Sequence, residues 1–85
     1  MDPKEIEALL QSELGLDEVH VTGEGSHFQV LAVSEAFANL SRVKQQQMIY
    51  RPLNDKISDG TIHALTIKAF TPEKWQREKL LNMPG

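Results

Sequence analysis

Apolar residues recur along the chain in two periods, and the changes of period mark the elements. Ile6, Leu9, Leu10 and Leu14 fall at i, i+3, i+4 and i+8, which is one stripe of a helix. Asp2 and Glu5 are spaced for a capping box ahead of it, Pro3 fits the first helical position, and Gly15 suits a left-handed end with Leu16 folding back on Leu10. From Val19 the period drops to two. Val19 and Val21 alternate with His20 and Thr22, and after Gly23-Glu24-Gly25 the alternation resumes at Phe28, Val30 and Ala32, so the segment reads as a β-hairpin across a flexible glycine turn. Ser34 can cap a short turn carrying Phe37. Ser41 can cap a longer helix in which Ile49, Leu53 and Ile57 recur every four residues, flanked by Val43 and Tyr50. Pro52 lacks an N–H and its ring crowds the carbonyl four residues back, so a kink or break is expected between Tyr50 and Leu53. Asp59-Gly60 closes that region, Thr61 to Ile67 reads as a third strand, and Thr71-Pro72-Glu73 starts a last helix through about Leu81 with Trp75 as its large anchor.

The expected order is α-β-β-α-α-β-α, an α+β fold with a three-stranded sheet and helices packed on one face. The segment before the third strand is long enough for a crossover, which makes that strand parallel to one hairpin strand and the sheet mixed. At 85 residues and 40% hydrophobic, the chain is expected to form one small domain over 1–85. A core of this size leaves no room for a deep, walled catalytic pocket. The absence of cysteine excludes a disulfide, a thiolate nucleophile, a cysteine zinc site and a self-contained iron-sulfur cluster. Apolar runs such as Phe28 to Val33 are far below the roughly 18 residues of a membrane span, and the acidic start resembles no export signal; a cytoplasmic protein with no membrane association is the expectation.

The net charge of −3 is unevenly distributed. Residues 1–40 carry Lys4 against eight carboxylates, net −7, whereas residues 41–58 carry Arg42, Lys44, Arg51 and Lys56 against Asp55, net +3. A basic segment of this kind can meet an acidic partner or nucleic acid, and it also suits solvated helix faces.

No Ser, His and acid trio and no carboxylate pair is placed for acid-base work, so the chain reads as a non-enzyme. The Gly23-Glu24-Gly25 run is followed by a strand and lacks the Gly-Lys-Ser/Thr of a phosphate loop. The three histidines are far apart, with no His-x-x-x-His pair for zinc. His20 alternates with Val19 and Val21 and is expected to be a solvated strand residue. His27 sits where the glycine turn enters the second strand. His63 shares the phase of Leu65 and Ile67, so periodicity alone favours a partly buried, hydrogen-bonded ring over a ligand. Trp75 and Tyr50 could stack on single-stranded bases, but lone aromatics on short helices are more often packed.

The run Ser26-His27-Phe28-Gln29-Val30, then Val33-Ser34 and Phe37, then Ser41-Arg42-Val43 leading to Tyr50 and Leu53, then Ile62-His63-Ala64-Leu65 and Thr71-Pro72-Glu73-Lys74-Trp75, resembles the BolA family over about two-thirds of the chain. The Gly25 to Val30 hairpin and Lys44-Gln45-Gln46-Gln47 are most similar to its short bacterial IbaG branch. The resemblance implies a fold like a type II KH domain without the Gly-x-x-Gly loop that clamps nucleic acid. It implies pairing with a monothiol, CGFS-type glutaredoxin across a bridging [2Fe-2S] cluster, with thiolates from the partner and from glutathione. His63 falls at the family's histidine ligand. A second ligand comes, in the family, from the loop between the hairpin strands; His27 is the candidate there, with His20 more remote. None of this would be bound by the isolated chain, a monomer or weak homodimer on its own. A chain without cysteine can offer iron only imidazole or oxygen, which agrees with a mixed thiolate and histidine site. Neutral imidazole in place of thiolate raises the potential and makes the ligation sensitive to protonation.

The resemblance also implies a second function class, because the family includes DNA-binding regulators linked to stress and cell shape. Where the family often shows an Arg-His-Arg-like run this chain has Lys44-Gln45-Gln46, which leaves Arg42, Lys44, Arg51 and Lys56, with Lys68, as contacts to phosphate or to a partner protein. So few contacts imply weak, salt-sensitive DNA binding.

Overall fold

The computed structural model describes residues 1–82. In chain order the elements are α1 (Pro3–Leu14), β1 (Glu18–Glu24), β2 (His27–Val33), a short 3-10 turn (Glu35–Asn39), α2 (Arg42–Tyr50), a second 3-10 turn (Arg51–Leu53), α3 (Asn54–Ser58), β3 (Ala64–Phe70) and α4 (Pro72–Asn82). This is the α-β-β-α-α-β-α order read from the sequence.

The punctuation residues act as their chemistry dictates. Asp2 and Glu5 form a reciprocal capping box, and Gly15 ends α1 at φ 59°. Ser34, Ser41 and Thr71 accept the backbone N–H groups of Ala36, Lys44 and Lys74. Pro52 converts the middle of the expected helix into the tight turn that joins α2 to α3. The hairpin turn is tighter than its three-residue glycine run suggests. Gly23 and Glu24 belong to β1, and the connection is only Gly25-Ser26, with Gly25 at φ 64° and Ser26 at negative φ, the signs of a type II′ turn.

The sheet order is β1-β2-β3, with β1 antiparallel to β2 and β3 parallel to it, so the sheet is mixed. Val21, Val30 and Ile67 share one cross-strand row and are all buried. On that face Ile6 and Leu10 of α1, Ile49 of α2, and Leu53 and Phe37 from the connecting turns complete the main core. The expectation of helices on one face holds for α1, α2 and α3. The fourth helix departs from it, because Leu31, Val33 and Phe70 alternate to the other face and form a second cluster with Trp75 of α4. Trp75 is 1% exposed, which makes it a packing residue and removes it as a stacking platform.

Both outer strands are edges, and helix side chains reach across to them. Glu7 of α1 accepts the N–H of Val21 at 3.0 Å on the β1 edge. On the β3 edge Gln46 donates to Ile67 O at 3.3 Å, and Tyr50 lies at 3.5 Å from Leu65 O. These contacts occupy polar groups that an incoming strand would use.

Candidate functional site: two histidines at one end of the sheet

The periodicity placed the third strand at 61–67, but the ladder begins at Ala64 and runs to Phe70. His63 therefore sits ahead of the strand and is exposed where a partly buried ring was expected. Its backbone is nevertheless firmly held. Asp59 accepts the N–H of Thr61 at 2.9 Å, Ile62 is buried and donates to Lys56 O, and His63 donates its own N–H to Ser26 O at 2.8 Å. Hydrogen bonds from Thr61, first through its side chain and then its backbone, with the Lys56 charge adding, hold the Asp59 carboxyl below its ordinary value. The imidazole lies beside Gly60, whose φ of 83° a side chain would rarely adopt; a Cβ there would stand 3.5 Å from His63 Nε2.

His27 opens β2 and pairs with Ala64 across the parallel ladder. It is exposed and lines a shallow depression of about 300 Å³ with Thr22, Gly23, Phe28, Gln29, Ala64 and Thr66. Gly23 makes this end possible, since a Cβ on it would come within 2.5 Å of His27 O and 2.6 Å of the Phe28 ring. The fold thus brings the backbones of His27 and His63, far apart in sequence, to the starts of neighbouring strands.

His20 does not join them. It shares a row with Leu31, on the face that α4 covers. Its side chain is 29% exposed, with Nε2 3.2 Å from Glu18 Oε1 and its ring 6.1 Å from that of Trp75. The expectation of a solvated strand residue fails because alternation shows which face a residue takes, not what later covers that face.

The basic candidates are split up. Arg51 lines a depression with Gln47, Tyr50 and Asn54, Lys56 lies in α3, and Lys44 is exposed on α2. Arg42 lines a different groove, together with Lys68 and Lys74. Lys74 was read only as part of the last helix; its place beside Arg42 depends on how α4 crosses the sheet and has no signal in sequence spacing. The neighbourhood of Gly60 and His63 follows from sequence, whereas Ser26, whose carbonyl accepts the His63 N–H, is legible only from the ladder register.

Among the described residues, no three His, Cys, Asp or Glu side chains gather to hold a metal ion. His63 and His27 stand there as one exposed imidazole each, at the starts of neighbouring strands. No helix among the described residues is long and apolar enough to cross a membrane.

A sheet of this topology with exposed histidines at one end defines a class, and comparison with known proteins identifies it. The family model described as BolA-like protein matches residues 1–74, and the chain belongs to the BolA family. The chain is 54% identical over 82 residues to the protein named acid stress protein IbaG of Escherichia coli (strain K12), covering 96% of this chain and 98% of that one. It is 41% identical over 56 residues to a Haemophilus influenzae protein named DNA-binding transcriptional regulator BolA, covering 66% of this chain and 53% of that protein. The solution structure of BolA1 from Mus musculus superposes with a TM-score of 0.81 at 25% identity, covering 98% of this chain and 75% of that one.

Proposed function

We propose that this chain is a non-catalytic accessory in iron-sulfur cluster assembly, trafficking or sensing in the cytoplasm. It would form a [2Fe-2S]-bridged heterocomplex with a monothiol glutaredoxin and glutathione, with His63 as the principal ligand and His27 as the second. The observation that carries this reading is an exposed imidazole on a hydrogen-bonded turn, in a chain with no thiol of its own. Hydrogen bonds already order the turn in the free chain, which would keep the entropic cost of forming a shared site low. The cluster, when bound, would supply transferable, redox-active iron; this chain supplies a neutral nitrogen donor and a supporting surface.

The test is to mix the chain with cluster-loaded glutaredoxin and record visible absorption and circular dichroism. Mixing is expected to change both spectra, His63→Ala to abolish the change with far-ultraviolet dichroism intact, and His27→Ala to reduce it. A His63→Ala complex with the same spectrum as the unaltered chain would overturn the assignment.

A second reading, DNA binding through residues 41–58, is favoured by the name of the Haemophilus influenzae relative. Arg42 and Arg51 line different depressions of the surface. Fluorescence anisotropy with duplex DNA at two salt concentrations decides; absent or salt-independent binding discards it.

A further inference from the structure

At the end of β3 away from the histidines, the outer edge of the strand opens into a groove of about 350 Å³. Ile67 to Phe70 form one side of it, with Arg42 and Gln46 from α2 and Lys74 from α4. The direction of each backbone group along this strand can be read from its partners. Ala64 donates its N–H to Ser26 O, and Phe70 O accepts from Ser34, so even-numbered residues turn their polar groups toward β2 and its ends. Leu65 O and Ile67 O meet Tyr50 and Gln46 of α2, so odd-numbered residues turn theirs outward. Ala69 is the next outward residue. Among the described residues, no side chain or loop bonds its N–H or its carbonyl.

From this we infer that the edge at Ala69 is a docking site for an extended, acidic segment of a partner protein, added as a short fourth strand. A donor and an acceptor on one residue are what a visiting strand pairs with. The guard that α2 places over Leu65 and Ile67 stops short of Ala69. Ile67 to Phe70 spans about 10 Å at the ~3.3 Å rise of a strand residue, room for roughly three residues of a visitor.

The charge of that visitor follows from where the cations stand. Arg42 lies on α2, whose Ile49 packs on the main-core face of the sheet, and Lys74 lies on α4, whose Trp75 packs on the other face. The two cations are therefore on opposite sides of the sheet. Side chains of an extended segment alternate between those same two sides, so adjacent acidic residues would meet one cation each. No carboxylate lines the groove, and among the described residues no ion pair engages Arg42 or Lys74. Lys68 already has an interaction of its own, and the docking does not use it.

The experiment is an amide chemical-shift titration of the isotope-labelled chain with a blocked peptide carrying adjacent glutamates between valines. The lysine counterpart of that peptide and a short DNA duplex are the parallel arms. Saturable shifts centred on Ile67, Ala69 and Lys74 are expected with the acidic peptide and not with the basic one. The double variant Arg42→Glu, Lys74→Glu should reverse that preference. Ala69→Pro deletes the outward N–H at a position where an edge strand tolerates proline, and should abolish saturation while the amides of β1 stay unmoved. Gln46→Ala frees Ile67 O for the visitor and should tighten binding roughly three- to tenfold. No saturation, or equal binding of the two peptides, would overturn the site. An acidic peptide methylated at every backbone nitrogen that binds as well as the unmodified one, or weaker binding by Gln46→Ala, would overturn strand addition. DNA shifting these amides more strongly than the acidic peptide would overturn the protein segment as occupant. None of these readouts involves a cluster, so their failure leaves the histidine reading untouched.

Discussion

The two faces of the sheet are held in different ways. One face is covered by a continuous layer of buried side chains from α1, α2 and the connecting turns, with Ile57 of α3 partly buried against it. The other is covered over part of its length by α4, whose one buried anchor is Trp75, seated on Leu31, Val33 and Phe70. Beyond that indole the helix carries Leu80 and Leu81 into solvent. The difference teaches that one small domain can combine a distributed core with a helix whose apolar attachment centres on one buried side chain.

The sharpest way to break this contrast is a pair of truncations. Phe37→Ala in the distributed core is expected to cost about 3–5 kcal/mol, enough to unfold much of so small a domain, and urea denaturation should show one cooperative transition at a much lower midpoint. Trp75→Ala is expected to act locally, with amides of 72–82 exchanging rapidly while β1, β2 and β3 keep their protection. Equal loss of protection in the strands would mean the two faces form one cooperative unit.

Smaller effects come from the sheet margins. Glu7→Ala leaves the Val21 N–H without its acceptor and should cost about 1 kcal/mol, seen as faster exchange at Val21 alone. The smallest effect belongs to Asp59. Its folded pKa lies below the ordinary aspartate value of 3.8, so its contribution is present above that value and is lost as pH falls through the lowered folded value. Asp59→Asn should therefore lower stability slightly near neutrality and leave it unchanged in strong acid, as chemical denaturation at both conditions would show.

Element types and caps were legible because they rest on local chemistry: Asp2 with Glu5, Pro52, and Thr71 with Pro72 each act within a turn of themselves. The parallel pairing was legible from crossover length. What escaped was long-range. The start of β3 shifted because Thr61 and Ile62, though β-branched, are consumed by the Asp59 turn and the core. His20 was misplaced because α4, which half-buries it, enters the chain more than fifty residues later. His63 and His27 were identified through resemblance; spacing alone favoured a packed role for His63, and exposure became visible only with the register of β3 against β2.

The carbonyl of Ser26 has a consequence for how the histidine end is held. It receives the N–H of both His63 and Ala64, so the last strand is seated on the tip of the hairpin. These contacts join the start of β3 to the residue that precedes β2. The histidine end of the sheet is thus tied to a connection of two residues, Gly25 and Ser26. A change that displaces that turn would shift the backbones of both His27 and His63 from their places at the strand starts.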